Sequence, residues 1–129
     1  MKNFILPEKN RTPRIELDRV KGLINIVGRS IPENAVDFYK PVLDWIELYK
    51  AEKPQIETTV NMQLDYFNTA TSKCFIQMFR SLEELHQKGH QIVVNWYYEE
   101  EDEDIEESGR DFIELLNLPF NLVVMESNY

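Results

Sequence analysis

Cysteine is almost missing from the chain, with Cys74 alone among 129 residues. That excludes an internal disulfide and any metal site built from several thiolates, and it suits a reducing compartment. Glycine is scarce as well. The four glycines stand at positions 22, 28, 89 and 109, too far apart to form a phosphate-binding loop or a dinucleotide fingerprint. Long apolar runs are lacking, and none nears the roughly 20 residues of a membrane-spanning helix. Pro7-Glu8-Lys9 directly follows Phe4-Ile5-Leu6, where a secretory signal would carry its apolar core. These absences predict a cytoplasmic protein. Positive charge is also in short supply, with 14 Lys and Arg against 23 Asp and Glu and a net charge of −9. With no basic face to neutralise phosphates, neither nucleic acid nor an anionic membrane is an expected partner.

What is present is a chain of single-domain size, 1–129, that is 43% hydrophobic and 12% aromatic, too apolar for a disordered segment. The charge is uneven. Glu99 to Glu114 holds ten acids and one base, Arg110, so the rest of the chain is neutral. Arg14 to Asp18 and Leu23 to Val27 alternate and read as an antiparallel hairpin. Ser30-Ile31-Pro32-Glu33 has the form of a capping box. Val36, Tyr39, Leu43 and Ile46 then recur at helical spacing to about Lys50, with Pro41 expected to kink or split that helix. From Thr58 the period becomes two, which places Val60, Met62, Leu64 and Tyr66 on one face. Asn68-Thr69-Ala70-Thr71-Ser72 supplies a cluster of helix-starting residues. Phe75, Phe79, Leu82 and His86 share the face of the helix that follows, up to Lys88-Gly89.

Gln91 to Tyr98 reads as a buried central strand. An acidic helix comes next, with Ile105, Phe112 and Leu116 turned inward and Ser108-Gly109 allowing close approach. It ends near Leu118-Pro119, before a final strand at Phe120 to Met125. The order ββαβαβαβ predicts an α/β fold with a mostly parallel sheet, an antiparallel starting hairpin and helices mainly on one face.

Several groupings suggest chemistry and are outweighed by simpler readings. The acidic run lacks both the turn glycine and the bidentate Glu of a calcium loop and reads as a solvated helix face. Glu83-x-x-His86 resembles half of a di-iron motif whose second half is missing. His86 and His90 are separated by a helix-ending glycine and lack a third ligand. No metal and no cofactor are therefore expected. Cys74 sits in an apolar stretch and reads as core. Tyr66, Trp96, Tyr97 and His86 would suit an aromatic ligand pocket or a small active site, against which stands ordinary core packing and strand pairing. The hydroxyl cluster is the most informative feature, because a helix start offers free N–H groups and a partial positive charge that favour a phosphate. Thr69 is its natural candidate, and as an ordinary N-cap it would bond to the N–H of Thr71 or Ser72.

Four motifs in order carry a resemblance: Pro32-Glu33-Asn34, the stretch from Leu64 and Tyr66 through Asn68, Thr69 and Thr71 to Lys73, the strand Asn95-Trp96-Tyr97-Tyr98, and Leu118-Pro119-Phe120. Together they resemble the SiaC family of bacterial biofilm-regulating phosphoproteins, whose fold is similar to the STAS domain of anti-sigma-factor antagonists. The resemblance implies a non-enzymatic partner-switching protein. A Ser/Thr protein kinase would phosphorylate it, a PP2C-type phosphatase would reverse this, and the unmodified form would bind and activate a diguanylate cyclase. By position the phosphoacceptor is Thr69, flanked by Asn68, Thr71, Ser72 and Lys73. Thr71 and Ser72 remain rival acceptors.

Overall fold

A computed structural model describes residues 1–126. Its strands are β1 (Phe4–Leu6), β2 (Arg14–Asp18), β3 (Leu23–Ser30), β4 (Thr58–Phe67), β5 (Ile92–Glu99) and β6 (Phe120–Met125), and its helices are α1 (Ala35–Ala51), α2 (Thr69–Gln87) and α3 (Glu103–Leu115). The order expected from sequence is present, with the three-residue strand β1 added in front. One six-stranded sheet runs β1-β2-β3-β4-β5-β6. β1, β2 and β3 pair antiparallel, and β3 through β6 pair parallel. Alternation assigns one sheet face to the core, where Ile15, Leu17, Ile24, Ile26, Val60, Met62, Val94 and Trp96 are wholly buried.

Against that face pack the apolar sides of the helices, including Tyr39, Val42, Ile46, Phe75, Phe79 and Phe112. The opposite face carries a row of asparagines. Asn25, Asn61, Asn95 and Asn121 stand in register on four parallel strands, and each amide donates to its neighbour at 2.9–3.1 Å. Asn25 continues the row to Glu16 at 3.1 Å.

Three local expectations are revised. Ser30 does not cap α1; it ends β3, because the residue before Pro32, Ile31, is held extended and the helix cannot begin there. Asn34 caps instead, its Oδ1 accepting from the Asp37 N–H at 3.1 Å. α1 then runs unbroken through Pro41. Its buried side is set by Ala35, Tyr39, Val42, Trp45, Ile46 and Tyr49, while Val36 is exposed and Leu43 half-buried.

The third revision concerns the end of β4. Gly28 pairs with Leu64 and Arg29 with Tyr66, so Asp65 is an extra residue that shifts the ladder. A one-residue insertion reverses which side chains point inward. Tyr66 is consequently 52% exposed, and Phe67 turns to the core against Phe75, Trp96 and Phe112. Opposite the bulge, Gly28 has φ +126, a conformation open to glycine and strained for other residues.

Candidate functional site

The carboxyl ends of β3 and β4 meet the start of α2, and one asparagine organises the junction. The Asn68 N–H donates to the Ser30 carbonyl at 3.1 Å, while Asn68 Oδ1 accepts from the Thr71 N–H at 2.9 Å. Asn68 is thus the N-cap, and Thr69 is the first helical residue rather than the cap. The consequence is chemical. Thr69 is exposed, and its hydroxyl makes no hydrogen bond among the described residues. The first turn of α2 holds no acidic side chain, so the positive helix end is unopposed there. Lys73, four residues on and exposed, lies on the same side of the helix as Thr69. Asp65, within the bulge, is exposed and pairs with Arg29 at 3.9 Å.

Beneath this surface lies a buried hydroxyl chain. Tyr39 OH meets Ser30 Oγ at 2.7 Å, Ser30 Oγ meets Thr71 Oγ1 at 2.9 Å, and Thr71 Oγ1 donates to the Ser30 carbonyl at 3.2 Å. Burial pushes the Tyr39 phenol well above its ordinary range; the Thr71 hydroxyl proton is committed to the Ser30 carbonyl, so Thr71 Oγ1 accepts from Ser30 and Ser30 Oγ accepts from Tyr39. The donors then run in one direction, from Tyr39 to Ser30 to Thr71. Thr71 and Ser30 are both at 0% exposure, which shuts Thr71 away from any modifying protein. Ser72 is half-buried. Thr69 is the hydroxyl of the cluster that faces solvent at the helix start.

Other candidates from sequence separate in space. Trp96 is buried on the helix side, its Nε1–H donating to the Ile105 carbonyl at 2.8 Å. Tyr97 lies on the opposite sheet face, half-buried, and Tyr66 is exposed. His86 sits at the far end of α2, with Nδ1 on the His90 carbonyl at 3.0 Å. These four residues form no common pocket. Glu83 is a buried structural acceptor that holds the Asn117 N–H at 2.6 Å and Arg80 at 3.1 Å, so the half di-iron motif dissolves. Cys74 is buried among the apolar residues of α2, and burial pushes its thiol up, away from the reactive thiolate. Asp102 caps α3 through the Ile105 N–H at 3.0 Å, which turns the suspected calcium run into a helix with an acidic exterior.

Sequence reasoning missed Ser30 and Tyr39 as supports of the site. Only Pro32 gave a signal, by arguing against a helix start at Ser30.

Fold and site define a class: a mixed α/β module, covered by helices on one face, that presents an accessible hydroxyl where a central strand gives way to a helix. A family model described as SiaC family regulatory phosphoprotein matches residues 6–125, and the chain belongs to the SiaC family. The solved structure of SiaC of Pseudomonas aeruginosa is similar, with a TM-score of 0.89 at 29% identity, covering 97% of this chain and 100% of that one. So is a chain in the crystal structure of the diguanylate cyclase SiaD in complex with its activator SiaC from Pseudomonas aeruginosa, with a TM-score of 0.87 at 29% identity over 96% of this chain and 99% of that one. An uncharacterized protein of Pseudomonas aeruginosa (strain UCBPP-PA14) is 31% identical over 120 residues, or 93% of this chain and 94% of that protein.

Proposed function

We propose that this protein is a non-enzymatic, cytoplasmic partner switch whose unphosphorylated form binds and activates a diguanylate cyclase, and whose phosphorylation on Thr69 prevents that binding. The observation that carries the reading is the division of labour between Asn68 and Thr69. Asn68 takes the Thr71 N–H and so fills the capping role, which leaves the Thr69 oxygen free and facing solvent. A Ser/Thr protein kinase adds the phosphate and a PP2C-type phosphatase removes it. The similar SiaC structure bound to its cyclase supports the choice of effector.

Phosphate suits the fold at this position, because the N-terminal dipole and the N–H groups of the first turn favour it and Lys73 is one helical turn away. The modification therefore leaves α2 intact and acts on the partner. It adds close to two negative charges to a surface that a partner must cover, in a chain already at −9, so desolvation and repulsion oppose docking. A tenfold loss of affinity needs only about 1.4 kcal/mol.

Titration calorimetry against the cognate cyclase, with cyclic di-GMP production measured in parallel, tests this. Wild type and Thr69→Ala should bind and stimulate alike, whereas the phosphorylated protein and Thr69→Glu should bind at least about tenfold more weakly. Equal affinity for all four forms refutes the switch. Phosphate transfer to Thr69→Ala at the wild-type rate would move the acceptor to another residue.

A further inference from the structure

A half-open cleft of about 720 Å³ lies at the pole of the sheet opposite Thr69, where α1 and α2 end and β4 and β5 begin. Its size falls within the roughly 300–1,000 Å³ of small-molecule sites. The cleft is firmly built. The Thr59 N–H donates to the Gly22 carbonyl at 2.8 Å and the Thr58 N–H to the Gln91 carbonyl at 2.9 Å, which ties its two walls to neighbouring strands. Lys53 adopts φ +51 in the connecting loop, a strained value for a lysine, and Gln55 Nε2 closes that turn on the Lys53 carbonyl at 2.9 Å.

Charge and apolar surface share the lining. Lys50 is committed to Glu47 and Glu84 at 3.1 and 2.8 Å. Lys53 and Lys88 line the cleft, are exposed and form no ion pair among the described residues. One carboxylate, Glu57, also lines it, and Pro54, Ile56 and Leu85 supply the apolar wall, with Ile56 45% exposed. His90 completes the polar side. Its Nε2 is 2.8 Å from Thr58 Oγ1, which Tyr49 OH approaches at 2.6 Å. These contacts fix the imidazole ring at the cleft wall.

We propose that this cleft is a second binding site, for a small organic anion that combines a phosphate or carboxylate with an apolar body. Lys53 and Lys88 grip the anionic group, and Pro54, Ile56 and Leu85 cover the apolar part. The helix ends oppose an anion by the sign of their dipoles, an effect reduced where the carbonyls of Leu48, Lys50, Leu85 and His86 accept from the N–H groups of Glu52, Lys53, Lys88, Gly89 and His90. Affinity accordingly comes from the two ammonium groups and the apolar wall together.

Amide chemical shifts of the full chain, titrated with phenyl phosphate and separately with inorganic phosphate, test the site. Saturable shifts should cluster at Lys53, Ile56, Glu57, Gly89 and His90, with phenyl phosphate binding at least about tenfold more tightly than inorganic phosphate. Lys53→Gln combined with Lys88→Gln should weaken phenyl phosphate by at least about tenfold while the remaining spectrum stays that of the folded protein. Absence of saturation at millimolar probe, equal affinity for the two probes, an unaffected double variant, or shifts confined to the first turn of α2 would each overturn the proposal. Because the cleft shares no residue with the Thr69 region, failure here leaves the partner switch standing.

Discussion

Replacing Asn68 with alanine removes the acceptor of the Thr71 N–H bond and should lower stability by about 1 kcal/mol, readable as a shift in the urea midpoint with an unchanged slope. Thr71→Val tests the layer beneath. It keeps the shape and deletes a hydroxyl at 0% exposure that bonds to Ser30 twice, so a cost of about 1–3 kcal/mol is expected. Ser72→Ala should leave uptake of phosphate by the chain unchanged in a mass measurement, whereas Thr69→Ala should abolish it. The position of the hydroxyl cluster at a helix start was legible because Asn, Thr and Ser at a strand-to-helix boundary are natural helix starters. Which residue caps and which is left free was not legible, since several neighbours can cap and the choice depends on where β4 ends. Tyr39 and Ser30, joined to the cluster from 32 and 41 residues before Thr71, leave no local trace in the sequence.

Among the elements, α3 was the most readable, and its glycine provides a test of sign. In an exposed helix Gly→Ala stabilises by about 1 kcal/mol. At Gly109 a Cβ would lie 2.5 Å from Trp96 Cδ1 and 2.7 Å from its Nε1, so Gly109→Ala should instead destabilise, by about 1–3 kcal/mol. Thermal unfolding distinguishes the two directions. The strand before α2 was readable only in part. Its alternation from Val60 to Leu64 held, but the reversal after Asp65 arises from pairing with β3 at Gly28, a residue 36 positions away from Leu64. Local periodicity cannot register such a slip, which is why Tyr66 was expected inside and Phe67 was passed over. α1 was found but rotated slightly, because Val36 and Leu43 lie at the flank of a broad apolar stripe centred on Tyr39, Val42 and Ile46.

For the molecule as a whole, a half-buried histidine predicts behaviour near neutral pH that differs from ordinary carboxylate titration. Burial, followed by the nearby His86, holds the His90 pKa below its ordinary value, with Glu57 acting in the opposite sense. The unfolded chain therefore binds a proton at His90 more readily than the folded one. Stability should fall as the pH drops through about 6.5 toward the folded pKa and be recovered above it. Urea unfolding at about pH 7.5 and about pH 5.5 should show this decline, and His90→Gln should flatten it. The overall α/β order, the parallel sheet and the coverage of one face followed from strand-helix alternation and from the polar residues between Val60 and Leu64. The distant pairing of β1 did not, as three residues carry too little pattern to announce a strand.

The asparagine row on the uncovered face has its own consequence. Sliding any of the strands β3 to β6 by one residue would swap an amide for an apolar side chain on the wet surface, breaking two links at once for β3, β4 or β5 and one for β6. The row thus works as an alignment mark for strands that have no tight turns between them to set their positions. It also lays a polar band across a bare side whose neighbouring positions, among them Val27, Val93, Tyr97 and Val123, are apolar.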